Sequence, residues 1–232
     1  MPKTGTEKQS KSQTDAQADK KVSKRASKKI WKLTYEELYN IVVSIFVIAL
    51  IFAYNPTNPI ATIGTMPRAF LAVAIIHSLY LAAQKTLARR LGCVAFYKLW
   101  LPGLVVGLLL MVVGIKPIIL VGAVSLTAYK FSRFGFKSRQ MSLTEIGWVG
   151  VSGPLVAMFL TIVFKSLVLP YLAFVSGMIA LFSLLPIKPL DGGKVFLWNP
   201  IYWLFLVFAL VLILTPAGLM GYITSLYGAA KI

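Results

Sequence analysis

Between residues 38 and 214 the chain is a succession of apolar runs, and this feature restricts its fold more than any other. The runs cover about 38–54, 66–87, 99–128, 146–164, 171–185 and 201–214, and several are long enough to cross a hydrocarbon core, which takes about 20 residues as a helix. Only 13% of residues are charged, against roughly a quarter in a soluble domain. A backbone surrounded by lipid must satisfy its own hydrogen bonds, so helices are the expected form. The expectation is an all-α integral membrane protein of about five to six spans.

The breaks between runs are chemically defined. Asn55-Pro56-Thr57-Asn58-Pro59 ends the first run, because proline lacks a donor and restricts its predecessor. Lys85, Arg89 and Arg90 close the second. Gly114-Ile115-Lys116-Pro117 interrupts the third, Lys165 and Pro170 follow the fourth, and Pro186 to Lys194 is a polar patch after the fifth. Thirty residues, 99–128, cannot make two regular crossings. They are expected to form a short re-entrant or tilted helical hairpin turning near Gly114–Pro117. Residues 217–232 are apolar but short, suited to an interfacial turn or helix.

Charge sets the orientation. Ten of the 24 Lys/Arg residues lie in positions 1–32, and others fall in short segments such as Lys130, Arg133, Lys137 and Arg139. Positive charge concentrates on the cytoplasmic side, so residues 1–33 read as a disordered basic cytoplasmic tail and 34–232 as a polytopic domain of the cell membrane. Lys20, Lys21, Lys24, Arg25, Lys28, Lys29 and Lys32 are placed to attract anionic headgroups. The net charge of +17 belongs to tail and loops, which argues for a membrane surface over nucleic acid. With Cys93 as the sole cysteine, the chain has no internal disulfide.

Three segments carry chemistry: His77-Ser78-Leu79-Tyr80-Leu81, Ser152-Gly153-Pro154-Leu155-Val156-Ala157, and Ser183-Leu184-Leu185-Pro186-Ile187-Lys188-Pro189-Leu190-Asp191-Gly192-Gly193. In this order and spacing they resemble the site-2 protease family of intramembrane zinc metalloproteases. Ala88-Arg89-Arg90-Leu91-Gly92, Tyr97-Lys98-Leu99-Trp100 and Lys194-Val195-Phe196-Leu197-Trp198-Asn199 are similar to an archaeal branch. The resemblance covers about residues 66–205, implies a multi-span helical core there, and rests most on Pro-Leu-Asp-Gly-Gly.

The family motif pairs two histidines four apart on one helical face with a carboxylate from another span, and a glutamate acts as general base on the zinc-bound water. Mapped residue by residue, the resemblance implies His77 and Asp191 as remnant metal ligands. Ser78 stands at the base position and Leu81 at the second histidine. The family's two asparagines are replaced by Ala157 and Ser183. Gly153, Pro154, Pro186, Pro189, Gly192 and Gly193 survive as the structural part of the motif.

The bland alternatives are concrete. His77 can be a packed histidine hydrogen-bonded to a neighbour. Asp191 can cap a turn by accepting backbone amides. Ser78 cannot readily pair with His77, since adjacent helical residues point about 100° apart.

The leading expectation is therefore a catalytically inactive homologue, a pseudoprotease without resident zinc, that binds membrane segments or a partner protein in its groove. The alternatives are a working zinc metalloendopeptidase with an atypical site, completed by a second chain, and a transporter or channel subunit.

Overall fold

A computed structural model describes residues 34–56, 58–113, 122–127, 129–132, 135–138 and 142–214. The basic tail, the Gly114–Pro117 turn, Arg133, Arg139 and residues 217–232 lie outside the described residues.

Helix α1 spans Tyr35–Ala53 and ends before the Asn55-Pro56 break. Helix α2 spans Pro59–Arg90. The sequence places its start near Met66, but Pro59 at the first helical position, behind Asn58, is a strong start signal. The Asn58 side chain accepts the Ala61 N–H at 3.3 Å. Pro67 lies inside the helix. At 1.5 Å per residue α2 is about 48 Å long, well beyond a ~30 Å hydrocarbon core. Its side chains from residue 69 to 84 include no Asp, Glu, Lys or Arg, and Arg68 and Lys85 bracket them.

Strand β1 (Val94–Leu99) follows a turn in which Gly92 takes φ 74°, a left-handed conformation that suits glycine. Helix α3 (Leu101–Val112) comes next. The chain then returns as strand β2 (Gly122–Thr127), which pairs antiparallel with β1 from Val94↔Thr127 to Leu99↔Gly122. The expected hairpin is thus helical only on its outgoing limb. The returning limb is extended, which corrects the purely helical expectation. Val94, Phe96 and Tyr97 are β-branched or aromatic, as a strand prefers. A second small hairpin pairs β3 (Tyr129–Ser132) with β4 (Gly135–Ser138).

Helix α4 (Leu143–Ser166) opens on a capping box. Ser142 Oγ accepts the Glu145 N–H at 3.2 Å, and Glu145 Oε2 accepts the Ser142 N–H at 3.1 Å. Glu145, one of two acidic residues past position 37, is thereby accounted for as a cap. Helices α5 (Pro170–Ser183), α6 (Asp191–Trp198) and α7 (Pro200–Leu214) complete the described chain.

Three helices, α1, α2 and α4, are long and apolar enough to cross a membrane; α3, α5 and α7 are shorter apolar helices. Large apolar side chains such as Phe46, Leu71, Phe159 and Phe208 stand on the outer surface, as a lipid-facing bundle requires. Helix α4 is central, packing against α2, α5 and α6. Its contact face carries Gly147, Gly150, Gly153 and Ala157, so neighbouring helices approach closely. A side-chain carbon at Gly153 would lie 2.5 Å from Tyr80 Cζ, and one at Gly150 would lie 3.3 Å from the Asp191 carbonyl oxygen.

Candidate functional site

The site forms where α2, α4 and the start of α6 meet. The two-proline turn 184–190 delivers Asp191 to the first position of α6, with a cis peptide bond at Lys188–Pro189. Gly192 and Gly193 fit under this turn, since a side-chain carbon on Gly193 would lie 2.8 Å from the Ile187 carbonyl oxygen. The motif glycines and prolines therefore build the turn, as expected of irregular backbone held within protein.

Asp191 is 4% exposed. It is the first residue of α6, behind the N-cap Leu190, and its hydrogen bonds go to side chains, not to the backbone amides of its own turn. Its carboxylate faces α2 instead. Oδ2 accepts the Tyr80 hydroxyl at 2.5 Å and the Gln84 amide at 2.6 Å. Oδ1 pairs with the Lys194 ammonium, one turn further along α6, at 2.5 Å. Three donors from two helices thus surround one buried carboxylate, and a lysine supplies the compensating charge.

His77 is buried one turn before Tyr80 on the same face of α2. Its ring lies parallel to that of Tyr80, with centroids 6.2 Å apart, and meets the Tyr97 ring edge-on at 5.5 Å. Among the described residues neither ring nitrogen has a hydrogen-bond partner, and neither does Gln84 Oε1. In place of the expected hydrogen-bonded neighbour, the described residues give His77 the rings of Tyr80 and Tyr97. Leu81 is buried and Ser78 is exposed on the outer side of α2. Ala157 is fully buried in the α4 core, and the Ser183 hydroxyl bonds back to the Ala180 carbonyl at 2.8 Å.

Sequence reasoning missed Tyr80, Gln84 and Lys194 as partners of Asp191. Helical spacing held the signal for two of them, since 77, 80, 81 and 84 share one face. It also missed Glu37, which directly precedes the first apolar run. Glu37 is buried, pairs with Lys85 at 2.6 Å, and accepts the Tyr97 N–H at 2.8 Å.

Fold and site together fit a helical membrane protein whose interior holds a carboxylate, a histidine and two tyrosines. Over 179 residues the sequence is 30% identical to a protein of Methanocaldococcus jannaschii described as a "putative zinc metalloprotease", covering 71% of this chain and 85% of that one. The chain belongs to the family of that metalloprotease-like protein. No family profile and no solved structure matches it.

The donor set does not fit a catalytic zinc. Such a site uses three protein ligands. Among the described residues no group of three or more His, Cys, Asp or Glu side chains is placed to hold a metal ion. His77 has free nitrogens, but both Asp191 oxygens already serve other donors.

Proposed function

We propose that this chain is a non-catalytic member of its metalloprotease family, of the site-2 type, that holds a membrane segment or partner protein without cutting it. The observation that carries this reading is the environment of Asp191. Tyr80, Gln84 and Lys194 occupy the carboxylate that would otherwise face a metal. Leu81 and the outward Ser78 supply neither a second imidazole nor a base. General-base help is worth roughly 10²–10⁴-fold in rate, and its loss alone would slow a hydrolase by about that factor. The intact two-proline turn supports a retained scaffold. The charge pattern supports a cytoplasmic N-terminus with its basic tail on anionic headgroups.

The alternative, a working zinc protease with an atypical site, draws on one observation: His77 is buried and, among the described residues, both its nitrogens are unpartnered. Metal content and cleavage separate the two. Purified protein is expected to carry clearly less than one zinc per chain. Leu81→His, one turn from His77, should raise that content. No membrane-spanning reporter should be cleaved above the level of an Asp191→Ala control. Stoichiometric zinc lost on His77→Ala, with specific cleavage lost on Asp191→Ala, would reverse the reading.

A further inference from the structure

Strand β1 is fastened on both edges. One edge pairs with β2, where Tyr97 stands opposite Val124. On the other, the Tyr97 N–H points to α1 and donates to Glu37 Oε1 at 2.8 Å. The same oxygen takes the Lys85 ammonium from α2 at 2.6 Å. One buried carboxylate therefore joins the first turn of α1, the last turns of α2 and the middle of β1. The Tyr97 hydroxyl makes a second attachment to α1, donating to Ser44 Oγ at 2.7 Å. These fastenings set the Tyr97 ring, 3% exposed, edge-on against His77.

The contact beneath that ring is unfavourable for the histidine. A buried imidazole without a partner loses its hydrogen bonds to water and gains none in exchange. Such a group opposes the closed arrangement, so something else must hold it closed. Beside the β2 ladder and the Ser44 contact, the Glu37–Lys85–Tyr97 junction is placed to do so, because charge-assisted hydrogen bonds are the stronger kind.

We infer that Glu37 and Lys85 form a latch that pins strand β1, so that Tyr97 covers His77, and that releasing the latch opens the histidine to solutes. The opening moves β1, while the α4–α5–α6 core, which the latch does not touch, stays packed. The gate does not depend on whether the site binds metal, a peptide segment or neither.

His77 is the only histidine in the chain, so its reaction with diethyl pyrocarbonate can be followed on the one peptide that carries it by mass spectrometry, apart from adducts on lysine. The full chain in micelles serves, carrying Cys93→Ser and Ser176→Cys. Ser176 is fully buried where α4 meets α5, and its replacement thiol, probed with a maleimide, reports loss of the core. Glu37→Gln and Tyr97→Ala should each speed His77 modification at least about tenfold, the former by weakening a buried ion pair. Glu36→Gln, at the exposed neighbour, should leave the rate unchanged, and the core thiol should stay protected throughout. A His77 rate as slow in Glu37→Gln as in the parent would overturn the latch. An unchanged rate in Tyr97→Ala would overturn the cover. A core thiol that becomes reactive in step with His77 would show general unfolding and overturn the gate.

Discussion

Replacing Asp191 tests how the site is held together. Asp191→Ala leaves the Tyr80 hydroxyl and the Gln84 amide without their acceptor, in a place where water is largely excluded. Each orphaned buried donor costs about 1–3 kcal/mol. Lys194 also loses its counter-charge, but its side chain is 17% exposed and its long stem can carry the ammonium outwards, which lowers that contribution. The sum falls near the roughly 3–5 kcal/mol seen when one member of a buried ion pair is removed. Asp191→Asn keeps an acceptor for Tyr80 and Gln84 and should cost less, about 1–3 kcal/mol. The assay is reversible unfolding in mixed micelles followed by tryptophan fluorescence, with and without a strong chelator. The midpoint of the parent should not move with the chelator, because protein donors satisfy the carboxylate. In the double variant Asp191→Ala/Lys194→Met the two costs should couple by about 1–3 kcal/mol. An Asp191→Ala protein within about 1 kcal/mol of the parent would refute the network, since surface changes have effects of that size. A parent destabilised by the chelator would show that a metal takes the place of these donors.

Three further outcomes follow from the packing. Gly153→Leu should abolish folded protein, because even its first side-chain carbon would lie 2.5 Å from Tyr80 Cζ, whereas Gly64→Ala, with nothing within 4 Å, should be neutral or stabilise by up to about 1 kcal/mol in thermal unfolding. Glu145→Ala should cost about 1 kcal/mol through its half of the capping box, measured in the same unfolding assay. Single cysteines at Arg89 and Ser132, in a Cys93→Ser background, should label from the same side of the membrane in sealed vesicles; labelling from opposite sides would refute the re-entrant path of residues 99–128.

Local signals were legible in the sequence, and long-range ones were not. The break at Asn55-Pro56, the end of α2 at Arg90, and the α4 and α7 runs follow from proline, charge and unbroken apolarity, all of which act within a few residues. The start of α2 was read seven residues late, because hydropathy weighs Thr62, Gly64 and Thr65 against a span while Asn58-Pro59 marks a helix start. Strand β2 was read as helix because its pairing partner, β1, lies across the excursion, and a short apolar run does not reveal its partner.

The site divides in the same way. The motif turn was readable because two prolines and two glycines dictate irregular backbone wherever they occur. What surrounds Asp191 was not, because Tyr80 and Gln84 are 111 and 107 residues away in sequence. The close approach at Gly150 and Gly153 helps to bring them together. Glu37 shows the same limit more sharply. In sequence it is one of two adjacent acids before an apolar run. In space Glu36 is exposed, while Glu37 is buried beneath β1 with a lysine from another helix. A rotation of about 100° between neighbours on α1 separates a surface charge from one that joins three elements, and no local property of the two glutamates encodes which is which.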